Sequence, residues 1–242
     1  MLTSTFKVMF SAACLLAASY QDVKTREIDD RIWLILGLFG GFLTGYELYV
    51  ERNLNLIVLS AISILIAVFL GIFIYKAGLM GGADAKALMA LSVVFPYHPE
   101  LGFKVIYPYH PIFSISIIEN SFLLSLLTLL YFISRNLSLY LRGVRLFRGE
   151  LSTLRKIALF LTSTKYDVLK TDWSKAFPVE YIDYSRDRPE VKYSFLSNVN
   201  FEVNVEDLVK GYGDGFLDRE IWSTYGLPMI VFIAIGTFTS IF

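Results

Sequence analysis

The chain has 242 residues, 55% of them hydrophobic and 18% charged, with a mean hydropathy of +0.55. That balance excludes an ordinary water-soluble domain and marks a membrane protein. The 22 basic and 22 acidic residues cancel, so no surplus charge points to nucleic acid, and the single Cys14 builds neither a disulfide framework nor a four-cysteine zinc site.

A membrane-spanning helix needs roughly 20 mostly apolar residues. Residues 3–21 form the first such segment. Ala17-Ala18-Ser19 has the look of a cleavage site, but the basic cluster Lys24, Arg26 and Arg31 follows the apolar run, the reverse of a signal peptide, so a retained span is expected. Segments 32–50 and 54–75 come next. Residues 84–95 are a shorter run rich in Ala, Leu and Met that crosses only if it begins at the membrane border with Asp84. The following loop repeats Pro96-Tyr97-His98-Pro99 as Pro108-Tyr109-His110-Pro111. Two histidines can bind a metal, but Pro breaks helices and Tyr anchors loops at the interface; with only Glu100 nearby, no metal is assigned. A further span over 112–134 leads into 135–222, which begins basic and Gly-punctuated, has helical apolar spacing over 151–162, and then holds strand-like runs at 177–182, 191–196 and 201–205. The last apolar segment is 223–242, with Gly226-Leu227-Pro228 near its start.

The fold expected is therefore an α-helical polytopic membrane protein with six transmembrane helices: five spans in 1–134, a small α+β cytoplasmic domain over 135–222, and a sixth span over 223–242. With the N-terminus outside, residues 22–31, 76–83 and 135–222 lie in the cytoplasm. Nineteen of the 22 basic residues flank or fill these stretches, leaving Lys7, Arg52 and Lys104 elsewhere. The short loops carry the inference, since long domains translocate regardless of charge.

Two acidic residues sit where a carboxylate is expensive: Asp22, at the end of the first span, and Asp84, at the start of the short segment. Both belong at the inner membrane border, so side-by-side helices can join them across 62 residues of sequence. Two carboxylates about 3 Å apart share one proton, which supplies a base for water and an acid for a peptide carbonyl. Gly81, Gly82 and Ala83 have no bulky side chains, leaving room for backbone or a substrate strand to approach Asp84. Taken singly, Asp84 also reads as a helix cap and Asp22 as a solvated border residue.

The run Gln21-Asp22-Val23-Lys24-Thr25-Arg26-Glu27-Ile28-Asp29-Asp30, followed by Gly81-Gly82-Ala83-Asp84-Ala85-Lys86, resembles the two aspartate motifs of the archaeal preflagellin peptidases. These are relatives of type IV prepilin peptidases and, more distantly, of presenilin. The order of motifs and spans fits over most of the chain. The resemblance implies an intramembrane aspartyl protease with Asp22 and Asp84 as catalytic pair, acting without cofactor or metal. Its partners would be the lipid bilayer and a preflagellin or pilin-like precursor with a class III signal peptide. The enzyme would be multi-pass in the cell membrane, with its site facing the cytoplasm. Ala83 stands where the general Gly-x-Gly-Asp signature has its second glycine, a replacement that the resemblance implies archaeal members accept. The paired cysteines of bacterial prepilin peptidases are absent, which favours cleavage without methylation.

A literal Gly211-Tyr212-Gly213-Asp214 lies in a polar stretch and is read as a solvated turn whose glycines supply positive torsions. Pro228 is read first as a helix start and second as a contact for the substrate strand. Two other functions fit the same residues: a prepilin peptidase acting on other type IV pilin-like precursors, and a non-enzymatic proton or cation carrier.

Overall fold

A computed structural model describes residues 2–77, 80–102, 110–147, 151–173, 175–184, 189–194 and 205–241. In chain order the elements are α1 (Leu2–Thr25), α2 (Asp30–Glu51), α3 (Leu54–Lys76), α4 (Gly82–Val94), α5 (Phe113–Ser125), α6 (Leu127–Leu141), α7 (Thr153–Thr162), β1 (Thr164–Asp167), β2 (Ala176–Pro178), β3 (Glu180–Asp183), β4 (Glu190–Tyr193), α8 (Val205–Gly213), β5 (Glu220–Tyr225) and α9 (Met229–Ile241). They form two compact units, Met1–Ser125 with Pro228–Phe242, and Leu126–Leu227.

Four helical segments are long and apolar enough to cross a membrane: Leu2–Thr25, Asp30–Glu51, Leu54–Lys76 and Phe113–Leu141, the last taking in α5 and α6. The other two expected spans are represented by α4 and α9, of 13 residues each. At ~1.5 Å per residue such a helix covers about 20 Å, short of a hydrocarbon core of ~30 Å. In the last segment, residues expected to open the span belong to β5, and the helix starts only after Pro228.

In the first unit α4 packs on α2, α3, α5 and α9, while α1 packs on α2 and α9. Most of α4 is buried, including Ala87, Leu88, Leu91 and Val94. Small residues on its neighbours make this possible. A Cβ on Gly40 would collide with the Val94 side chain, and one on Gly71 would lie 2.8 Å from Met89 Cε. The outer faces of α2 and α3 carry exposed Phe42, Leu65 and Phe69, as helices facing lipid do. Two interior polar contacts cross between elements: Lys7 Nζ meets Glu47 Oε2 at 2.6 Å, and Thr44 Oγ1 donates to Val94 O at 2.9 Å. His98 Nε2 lies 3.2 Å from Ser240 O, and His110 Nδ1 accepts from Ile112 N at 3.2 Å. Among the described residues no three His, Cys, Asp or Glu gather as a metal site, and Pro108 and Tyr109 of the repeat lie outside the described residues.

In the second unit an antiparallel sheet of order β1-β5-β2 is joined by the β3-β4 hairpin. Adjacent residues of a strand face opposite sides, and β5 uses this to fill two cores. Ile221 packs with Val168, Ile182, Leu208 and Leu217 on the α8 side; Trp222 packs with Leu146, Leu159 and Val179 on the α7 side. Trp222 Nε1 donates to Leu146 O at 2.6 Å, and Asn136 Nδ2 binds α6 to α7 through Phe160 O (2.8 Å) and Ser163 O (2.7 Å). The expected helix over 151–162 is α7. The expected strand 177–182 is two short strands interrupted at Val179, residues 191–193 of the run at 191–196 lie in β4 while 195 and 196 lie outside the described residues, and the run at 201–205 lies outside them except for Val205, which opens α8. β1 and β5 are additional: β1 follows α7 directly, and β5 straddles the expected boundary between the domain ending at 222 and the span beginning at 223.

Candidate active site

The turn after α1 fixes the first aspartate. Thr25 Oγ1 donates to Gln21 O at 3.0 Å, and Arg26 takes a left-handed backbone with φ of 61°. Gln21 Oε1 then accepts from Asp29 N at 2.9 Å, and Asp29 in turn caps α2 by accepting from Arg31 N at 3.0 Å. Lys86 on α4 meets Asp30 at 2.6 Å, tying the short helix to the start of α2. The polar run after Asp22 is thus a braced turn between helices.

Asp22 is only 7% exposed although it lies in the last turn of α1. Its Oδ2 accepts from the backbone N–H of Ile230 at 3.1 Å, and its Oδ1 lies 3.6 Å from Arg26 Nη1. Ile230 is the second residue of α9, so the carboxylate occupies the donor-rich end of that helix. Pro228 stands two residues earlier, half-buried, with its carbonyl accepting from Val231 N at 3.0 Å.

Asp84 is 9% exposed and is the third residue of α4. Its Oδ2 reaches back to accept from Gly81 N at 2.9 Å, the reciprocal half of a capping box, since Gly81 has no side chain to supply the other half. The capping role and the site role therefore coincide, because one oxygen serves the cap. A Cβ on Gly81 would stand 3.2 Å from that oxygen, and one on Gly82 would meet only the Tyr75 ring, at 3.5 Å. Ala83 is half-buried beside it.

The helices that carry the two aspartates share their neighbours: α9 packs on both α1 and α4, and α2 lies against both. Each carboxylate has one oxygen fixed by a helix-initial N–H, an arrangement that holds its orientation. Sequence reasoning missed two partners. Arg26 was legible as a basic residue four positions after Asp22, whereas the Ile230 N–H is backbone and carries no signature.

The second Gly-x-Gly-Asp differs at each point. Gly211 and Gly213 close α8, Asp214 is exposed beyond its C-terminal end, and its N–H bonds Lys210 O at 2.8 Å. The positive torsion expected of these glycines belongs instead to Gly215, with φ of 77°. Gly211 is small for another reason, since a Cβ there would collide with Ile182 Cδ1.

The chain is 32% identical over 136 residues to the preflagellin peptidase of Methanocaldococcus jannaschii, covering 54% of this chain and 56% of that protein. It is 28% identical over 227 residues to the preflagellin peptidase of Methanococcus voltae, covering 92% and 88%. A third relative, the preflagellin peptidase of Methanococcus maripaludis, is 32% identical over 88 residues, 36% of this chain and 38% of its own. The type IV leader peptidase family matches residues 9–134, a stretch that contains both buried aspartates and the helices α2 and α3 that surround Asp84. The chain belongs to the type IV leader peptidase family.

Proposed function

We propose that the protein is a membrane-embedded aspartyl endopeptidase that removes the short basic leader from a preflagellin-like precursor at the cytoplasmic border of the membrane. The observation that carries this reading is the pair Asp22 and Asp84, both nearly buried, on two helices, α1 and α4, that share α2 and α9 as neighbours. The names of the relatives support the substrate class.

One carboxylate takes a proton from water as the oxygen attacks the scissile carbonyl carbon; the other carboxyl donates its proton to the carbonyl oxygen. The tetrahedral diol then collapses, the C–N bond breaks, and a proton passes to the departing amine. All atoms come from water and peptide, and the two carboxyl groups supply both proton transfers. The substrate strand must be extended, because a helix keeps its carbonyls in hydrogen bonds. Gly81, Gly82 and Ala83 leave room beside Asp84, and Pro228, which withholds an N–H at the start of α9, offers a contact for that strand. Depth contributes specificity: the precursor's apolar helix stays in lipid while its basic leader lies in the cytoplasm, the side that basic residues assign to 22–31 and 76–83.

Co-expression of a preflagellin with the wild type, Asp22→Asn, Asp84→Asn and Asp214→Asn tests the reading. Cleavage is expected to vanish for the first two and persist for the third. Loss of cleavage in Asp214→Asn alone, or persistence in Asp84→Asn, overturns the assignment.

A further inference from the structure

The second unit has an apolar helix face that its own core leaves open. In α7 only Leu159 is fully buried, while Leu154 is 80% and Ile157 50% exposed. Beside them lies a hollow of about 230 Å³ between Phe147, Ile157, Phe160 and Leu161, with Lys156 at its edge. The segment that carries this face is predominantly basic. From Arg135 to Lys165 the chain has seven basic residues and one acidic, whereas 166–222 has twelve acidic and seven basic. The segregation is spatial as well: Arg155 and Lys156 lie on α7, on the Trp222 side of the sheet, while Glu206 and Asp207 lie on α8, on the Ile221 side. Finally, α7 is bonded through Asn136 to α6, the C-terminal part of the apolar stretch Phe113–Leu141. A helix fastened to the end of a candidate membrane span is held near the depth at which that span emerges.

An exposed apolar face, flanking basic residues and attachment to an emerging span together fit an interfacial helix on anionic lipid. We propose that α7 lies on the cytoplasmic membrane surface, with Leu154 and Ile157 entering the acyl boundary and Arg142, Arg145, Arg155 and Lys156 meeting anionic headgroups. The acidic α8 side then faces water. This rests on the membrane reading above, though not on the peptidase chemistry.

The test uses the full chain with Cys14→Ala, reconstituted in anionic vesicles, and a polarity-sensitive fluorophore on Ile157→Cys or on Asp214→Cys. The label at 157 is expected to emit as in an apolar medium and to be quenched by lipids brominated on their acyl chains; the label at 214 is not. Arg155→Gln with Lys156→Gln, or zwitterionic vesicles, reduce the docked fraction, roughly fivefold in the docking equilibrium per charge removed. A water-like label at 157 in anionic vesicles overturns the proposal, as does a dry label that brominated lipid leaves unquenched, which means that protein covers the face. Cleavage of a preflagellin in the same vesicles is read separately. A docked label without cleavage supports the docking and counts against the peptidase alone.

Discussion

Two glycine-and-aspartate runs, Gly81–Asp84 and Gly211–Asp214, look alike on paper and occupy opposite ends of helices. Asp84 stands in the first turn of α4, buried, and accepts a hydrogen bond from Gly81 N at 2.9 Å. Asp214 follows the last residue of α8 and is exposed. The first end of a helix presents unpaired N–H groups and positive potential; the last presents carbonyls and negative potential. The same carboxylate is therefore held in place in one setting and left to solvent in the other. A motif of this kind gains chemical meaning only from the helix end on which it falls.

The widest gap between the runs should appear in cleavage itself. Asp84→Asn is expected to lower preflagellin cleavage by about 10²-fold or more, the scale of a lost acid–base group, and Asp214→Asn to leave it unchanged, as read by the mobility of processed and unprocessed precursor. The glycines should then fail in different currencies. Gly81→Ala pushes a Cβ to 3.2 Å from Asp84 Oδ2, so cleavage should fall, by up to about a hundredfold if the carboxylate is displaced by ~1 Å, with thermal stability nearly unchanged. Gly211→Ala collides with Ile182 and should cost about 1–3 kcal/mol of stability in the second unit while sparing cleavage. Ile182→Val removes the colliding Cδ1, so the double variant should lose less than the sum of the two singles in thermal melts.

Weaker effects bear on the bracing around Asp84. The Lys86–Asp30 pair is solvent-exposed, so Lys86→Gln should cost only ~0.2–1 kcal/mol and shift cleavage little; a collapse of activity would give Lys86 a role beyond bracing α4. The smallest change concerns His98, in the loop after α4. Burial holds its imidazole below the ordinary range, against backbone carbonyls of Ser240, Pro99 and Ile241 that pull it upward. The unfolded chain thus binds the proton first. The stabilisation is complete above the ordinary value of 6.5 and is lost as pH falls from there through the lower folded value. Melting in detergent should therefore drop less on acidification in His98→Gln than in the wild type.

Much of the site was legible because its ingredients are chemically costly. Asp22 and Asp84 adjoin apolar segments, and small residues precede Asp84, so both stand out in the sequence. The Ile230 N–H does not, because every residue but proline has one and only the position of α9 makes this one matter. In the fold, long apolar runs were readable as helices, and 151–162 as an amphipathic one. Segment 223–242 differs in its opening residues: Ser223 to Tyr225 are the end of β5 and pair with β1 and β2. Short apolar runs satisfy strand and helix alike, and hydrogen-bond partners elsewhere in the chain decide between them.

Composition and spacing alone committed this polypeptide to apolar helices, two buried acids and a basic stretch after the fourth long one, since burying or exposing those side chains anywhere else would cost too much. Which acid meets which donor, whether a Gly-x-Gly-Asp begins a helix or ends one, and where α7 leaves its apolar face open depended on packing between distant segments. Those outcomes come from contacts across scores of residues, which no local pattern encodes.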